Sequence, residues 1–435
     1  AACGAGPGAQ EVSGTGLDPA QAVVQALDLD RLIDDLVSLV RIPSVSGTEG
    51  EVTVQEWYAE QLADAGLQVD LWDLDIFDLA ARPDFPGMEV RRDRALGCVG
   101  STGEGLPGLI LQGHTDVVPV GDPRAWTRHP FSGEIARGRV WGRGAADMKA
   151  GVAANLAVAR AVVASGIELA KPLAIHAVIG EEDGGLGAYG TLARGHRGEA
   201  CVISEPTSGA LVIANAGALT FRIEVPGRPA HGALRKSGHS AVEAFWGIHQ
   251  ALLELETERN AATEPLFAHN PLPYGISIGT VHAGEWSSTV PELLVAEGRF
   301  GVRLGESVEE ARSIFEAAVN RAADADPWLR SHRPRVGWTG GQFASARLPE
   351  GHWLLDEMEG AVRAAGLAVL PPYGLEGGSD LRLYTAAGVP TLHYGPGHLD
   401  QAHIVDEHVS ITMVKECARA LAVLAARRCA VPSDS

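Results

Sequence analysis

Five short stretches of the 435-residue chain gather side chains that hold metal ions or move protons. In LILQGHTDVVP, residues 109–119, His114 and Asp116 stand two apart at the end of an apolar run. Positions i and i+2 of a strand share a face, so the Asp116 carboxylate is expected to hold and aim the His114 imidazole. A surface His-x-Asp pair reads the same way. In WGRGAADMKAG, residues 141–151, glycines allow a close backbone approach and deliver Asp147 to the start of a helix, where the dipole favours an anion. An ordinary helix cap is the alternative there. In IGEEDGG, residues 179–185, the adjacent carboxylates Glu181, Glu182 and Asp183 repel one another and need a cation or a proton to share a partly buried site. A solvated acidic turn is the alternative. SEPT, with Glu205, and QAHIVDE, with His403, complete the set. Jointly, two imidazoles and three carboxylates with a spare glutamate beside one of them match what two Zn²⁺ ions sharing a bridging carboxylate require.

These clusters close short apolar runs at 108–112, 172–180 and 200–204, and an Ala-rich helix over 151–165 lies between the first two. The alternation predicts an α/β catalytic domain with a mostly parallel sheet, whose binding crevice lies at the carboxyl ends of the strands. Upstream, helical spacing runs from about Asp18 to Pro43 and over 49–65, followed by a strand at 67–74. Near Ala214 the pattern changes to strands at 219–225, 274–282, 293–304 and 334–340 with helices at 239–256 and 307–323. That order is βαββαβ, a ferredoxin-like insertion. A helix at 354–365, a short strand at 367–370 and a helix at 410–428 return to the first domain. The expected organisation is a tail over 1–17, a catalytic domain over 18–213 and 349–435, and an inserted domain over 214–348.

Hydrophobic residues make up 46% and charged ones 21%, which excludes a disordered or fibrous chain. Lys and Arg number 35 against 55 Asp and Glu, and the net charge of −20 repels phosphate backbones, so no nucleic-acid partner is expected. The cysteines, at 3, 98, 201, 417 and 429, are odd in number and form no C-x-x-C, which argues against a disulfide framework. No uninterrupted apolar run reaches the roughly 18 residues of a membrane span. The expected location is cytoplasmic; Ala1-Ala2-Cys3-Gly4 raises the alternative of an exported chain whose signal segment is missing.

Taken in order, GHTDVVP around His114, GRGAADMKAG around Asp147, GEEDGG around Glu181, SEPT around Glu205, GGSD at 377–380 and AHIVDE around His403 form a specific set. It resembles the zinc-dependent family of acetylornithine deacetylase, succinyl-diaminopimelate desuccinylase, aminoacylase and carboxypeptidase G, over nearly the whole chain after the tail. The resemblance implies two Zn²⁺ per chain, with Co²⁺ or Mn²⁺ as substitutes. His114, Asp147 and Glu205 would hold one ion, Asp147, Glu182 and His403 the other, and Asp116 would orient His114. Glu181 would be the general base, drawing a proton from a metal-bridging water that attacks the amide carbonyl. His231, in VPGRPAHGA, is similar to the family's lid histidine, which stabilises the oxyanion, often from the partner subunit; a homodimer through the inserted lid domain follows from that likeness. Arg303, in GVRLGE, matches a position that pairs with a substrate carboxylate, although the family's Asp is Gly301 here and a frequent Asn is Thr289. Gly378 and Ser379 would touch substrate. The implied activity is hydrolysis of the amide bond of N-acyl amino acids or related small N-acyl amines. The alternatives are a dipeptidase or carboxypeptidase on the same site, and a catalytically inactive ligand-binding relative.

Overall fold

Runs of apolar residues bounded by glycine or carboxylates become the strands of one large sheet: β1 (Gln68–Asp73), β2 (Leu96–Ser101), β3 (Leu109–His114), β4 (Leu173–Val178), β5 (Cys201–Ile203) and β6 (Val212–Asn215). A second sheet takes β7 (Gly217–Pro226), β8 (Ile276–Ala283), β9 (Leu293–Val302) and β10 (Arg335–Phe343). The chain then returns to the first with β11 (Ala346–Arg347), β12 (Tyr373–Leu375) and β13 (Thr391–His393). The computed structural model describes residues 17–432; residues 1–16 of the expected tail, with Cys3 and the Ala1-Ala2-Cys3-Gly4 stretch, lie outside the described residues.

The first sheet runs β1-β2-β4-β3-β5-β13-β6-β11, with β12 beside β6. Its centre, β4, β3, β5 and β13, is parallel. Antiparallel pairings join β1, β2 and β4 on one flank and β13, β6 and β11 on the other, so a parallel core sits in a mixed sheet. Strand β2 escapes a reading by alternation because nearly all of it is buried, and LGCVGS shows no period of two. The strand expected at 367–370 is absent. Pro371 and Pro372 remove backbone donors, Leu370 is 45% exposed, and pairing begins only at Tyr373, beside β6.

Helices cover the sheet. α1 (Leu29–Arg41), capped by Asp28, stops before Pro43, and α2 (Glu49–Asp64) is capped by Thr48. α3 (Ala150–Ser165) is buried along most of its length and packs on α1 and the C-terminal helix. The helical run Ala145–Ser165 is long and apolar enough to cross a membrane by length and composition, but it carries Asp147 and Lys149 and 78% of its most apolar window is buried, as in a core helix. Small residues permit that burial. A Cβ on Gly151 would lie 2.0 Å from the Ser204 carbonyl oxygen, so only glycine lets α3 touch the end of β5.

The second sheet is antiparallel, in the order β8-β9-β7-β10, with α4 (Ala241–Asn260) between β7 and β8 and α5 (Val308–Ala325) between β9 and β10. Buried and half-buried positions alternate along most of β7, as a sheet covered on one face requires. Phe221, Phe300 and Phe315 pack together at the centre of an apolar cluster separate from that of the first sheet. A small sheet of Glu134–Ala136, Arg139–Trp141 and His408–Ser410 ties the glycine-rich approach to Asp147 to the segment that follows His403.

Candidate metal centre

Three neighbouring parallel strands end on one side of the first sheet, and each delivers part of the site. β3 ends at His114, Glu181 and Glu182 follow β4, and Glu205 follows β5. Asp147 lies in the turn before α3, where its peptide with Met148 is cis, and its carboxylate caps no helix. His403 comes from the loop between β13 and the small sheet, with a positive φ of 62°.

The side chains converge as two triads, His114–Asp147–Glu205 and Asp147–Glu182–His403, each with its ligand atoms within 4.8 Å of one another. Asp147 belongs to both and divides its oxygens between them. Oδ1 is 3.1 Å from His114 Nε2 and Oδ2 is 3.7 Å from His403 Nε2. Glu205 Oε2 lies 3.8 Å from His114 Nε2, and Glu182 Oε2 lies 3.0 Å from His403 Nε2. Glu181, next to Glu182 and buried, belongs to neither triad.

Without counter-charge this crowding is costly. Burial pushes Glu181 well above the usual carboxylate range, and neighbouring Glu205, Asp380 and Glu182 add to it. Burial, only partly offset by His114, pushes Glu205 up to about 8. Glu182 is raised by burial and by Asp147. Burial opposes a charge on His114, yet Glu205, Asp147 and Asp116 together hold its imidazolium well above the usual histidine range. Imidazole nitrogens and carboxylate oxygens at this spacing suit a divalent ion such as Zn²⁺, which removes both the repulsion and the protons.

A ring of buried carboxylates holds the backbone that carries these groups. His114 Nδ1 lies 3.1 Å from the backbone carbonyl of Asp116, whose nearest carboxylate oxygen is 3.6 Å away. The carboxylate expected to hold the imidazole instead accepts the amides of Glu181 and Glu182, both at 3.3 Å, and the Ser46 hydroxyl. The cause is that β3 ends at His114, so the two-residue period of a strand no longer applies at Asp116. Glu407 does the same for the other turn, accepting Ala146 N–H at 2.9 Å and Asp147 N–H at 3.1 Å on Oε1 and Arg143 Nη1 at 2.7 Å on Oε2. Reading the sequence left Glu407 without a role; its only signal was its place in AHIVDE.

The expected substrate contacts fare differently. Ser379 is buried, and its hydroxyl lies 3.1 Å from Nε2 of the buried His393. Gly378 is small for packing: a Cβ there would lie 2.3 Å from the Phe343 ring of β10. The Arg303 guanidinium donates to the Ala262 carbonyl at 3.0 Å and sits over Tyr274, touching no member of the triads and pairing with no carboxylate among the described residues. His231 is exposed; its Nδ1 accepts from Ala233 N–H, its carbonyl accepts from Leu234 N–H at 2.7 Å and its backbone pairs with Thr289, all in its own neighbourhood.

Residues 110–427 match the model of peptidase family M20/M25/M40. The chain is 28% identical over 401 residues to the N-formyl-4-amino-5-aminomethyl-2-methylpyrimidine deformylase of Bacillus subtilis, covering 86% of this chain and 88% of that protein. It is 32% identical over 348 residues to the succinyl-diaminopimelate desuccinylase of Paracoccus denitrificans, covering 73% of this chain and 85% of that protein. Among solved structures the fold is similar to that of the di-peptidase Dug1p from Saccharomyces cerevisiae, with a TM-score of 0.74 and 15% identity over 95% of this chain and 99% of that one.

Proposed function

The chain belongs to peptidase family M20/M25/M40 and is a metal-dependent amide hydrolase, and from that premise we propose a di-zinc deacylase of N-acyl amino acids or closely related small N-acyl amines. The observation that carries the two-metal reading is Asp147, whose two oxygens face different histidines. In this reading His114, Asp147 and Glu205 hold one ion and Asp147, Glu182 and His403 the other. The bound pair supplies Lewis-acid polarisation of the amide carbonyl and of the attacking water. Glu181, excluded from both triads and buried beside them, would take the proton from that water and return it to the leaving amine. Asp116 acts one step back, by holding the amides of Glu181 and Glu182.

Acyl removal is favoured over peptide cleavage because the relatives aligned over most of their length are named as a deformylase and a desuccinylase. We also read residues 214–348 as an inserted lid domain that joins two chains. Support comes from its separate apolar cluster and from Trp246 and Trp286, 65% and 73% exposed on it. An exposed His231 fits a residue that completes the site of a second copy.

The test is Glu181→Ala. Turnover of a panel of N-formyl, N-acetyl and N-succinyl amines should fall by about 10²–10⁴-fold, the usual contribution of a positioned base, while bound metal stays near two per chain. Unchanged turnover overturns the mechanism. Faster hydrolysis of dipeptides than of every acyl amine in the panel would favour the peptidase reading.

A further inference from the structure

The acidic turn contains a third carboxylate that the metal site does not use. Asp183 belongs to neither triad and meets Arg92, whose guanidinium is almost fully buried. All five N–H donors of Arg92 are engaged. Nε and Nη2 each donate to Glu51 of α2 at 2.8 Å, Nη1 and Nη2 each donate to Asp183 at 2.8 Å, and Nη1 also reaches the Val90 carbonyl at 3.1 Å. Asp183 further accepts the amides of Glu89 and Val90. The guanidinium lies directly under Gly180, where a Cβ would stand 3.1 Å from Nη2. The turn closes on itself through Gly185 N–H to the Gly180 carbonyl at 2.6 Å. It is therefore gripped at three places, by Asp116 on the amides of Glu181 and Glu182, by Arg92 on the side chain of the next residue, and by Arg382, whose Nη2 donates to the Gly184 carbonyl at 2.7 Å.

We propose that Arg92 is a positioning residue for the hydrolytic site. Acting through Asp183, it holds the 180–185 turn in the register that places Glu182 beside His403 and Glu181 beside the metal pair. The proposal rests on the reading of Glu182 as a ligand. Two consequences follow from the geometry. Arg92 sets a positive charge against Asp183, one of three adjacent carboxylates, and shares that charge with Glu51. Of the segments that carry the triads, Arg92 grips only the turn that bears Glu182, whereas His114 ends β3 and Glu205 follows β5, strands that Arg92 does not touch.

The experiment compares the full-length chain with Arg92→Met, Arg92→Lys and the triple variant Glu51→Gln/Arg92→Met/Asp183→Asn, in which no buried charge is left unpaired and folding is protected. Amide hydrogen exchange over residues 180–185 is measured in metal-free protein, and binding of Zn²⁺ or Co²⁺ is titrated. Exchange over the turn should quicken in all three variants. The metal step of the Asp147–Glu182–His403 triad should lose about 10–100-fold in affinity and become the weak one while the other step is kept, the loss expected when a group supporting a ligand is removed. In the triple variant thermal stability should recover but the weak metal step should not, which separates positioning from general support of the fold. Wild-type exchange over 180–185 in the triple variant, or two metal steps of wild-type affinity in it, overturns the proposal. A wild-type chain that takes up no metal refutes the ligand reading instead, and exchange over the turn then decides the Arg92 grip alone.

Discussion

Replacing Glu407 tests the support of Asp147, the carboxylate that the two triads share. Its side chain is fully buried and its two oxygens do three jobs: Oε1 accepts the amides of Ala146 and Asp147, and Oε2 meets Arg143, itself 3% exposed. Glu407→Ala strands a buried guanidinium, a loss of about 3–5 kcal/mol when one partner of a buried pair is removed. Each buried amide left without an acceptor adds about 1–3 kcal/mol unless water enters the vacated space. Glu407→Gln keeps an oxygen for the two amides but presents an NH2 to Arg143, so the buried guanidinium still loses its counter-charge, about 3–5 kcal/mol, while the amide terms are spared. Against the roughly 5–15 kcal/mol that holds a typical domain together, the alanine variant should be close to unfolding and the glutamine variant clearly weakened. Urea denaturation of metal-free protein, with unchanged slope and a shifted midpoint, measures both losses. Because Asp147 serves both triads, both metal steps should weaken together in Glu407→Gln, unlike the selective loss expected at Arg92. An alanine variant within about 1 kcal/mol of wild type would show that Glu407 bears no load, and the reasoning would fail.

Gly151→Ala should cost about 1–3 kcal/mol, as overpacking does, and should weaken the His114–Asp147–Glu205 triad. Its new methyl would press on the Ser204 carbonyl, one residue before Glu205; unchanged metal affinity by calorimetry would contradict this. Burial pushes His176 and His393 down to about 3, against about 6.5 in the unfolded chain. Both are neutral in both states above pH 6.5 and contribute nothing there. As pH falls from about 6.5 towards 3 only the unfolded state gains their protons, so each removes up to about 1.4 kcal/mol of stability per pH unit. In His176→Phe the slope of stability against pH should shrink by one such increment, and an unaltered slope refutes the assignment. Stripping metal with a chelator should lower Tm, and restoring Zn²⁺ to about 100 times its Kd should regain about 2.7 kcal/mol. A melting curve indifferent to Zn²⁺ would count against the triads as metal sites.

How much of this was legible beforehand follows from the range of the interactions. His114, Asp147, Glu181, Glu182, Glu205 and His403 stand in short motifs at the ends of apolar runs, and the parallel order of those runs was enough to predict that they converge. The exact fit of the two triads, with Asp147 shared, required the fold. Asp116 stands beside His114 as expected from the motif, 3.6 Å away, but the hydrogen bonds its carboxylate accepts come from Glu181, Glu182 and Ser46, because its strand ends two residues before it. Ser379 stood in a motif that suggested substrate; that its hydroxyl lies beside His393 required the fold.

The groups that support the centre were mostly invisible. Arg92 lies in EVRRDRA, a charged stretch that reads as surface, and only burial against Glu51 and Asp183, 41 and 91 positions away, reveals it. Sequence alone determined the kinds of donor, their order and the α/β frame, because period and spacing are local properties of a chain. Tertiary structure alone decided which buried charges meet, since a carboxylate or guanidinium in the interior must find whatever partner the fold brings within about 3 Å, however far off it lies in the chain.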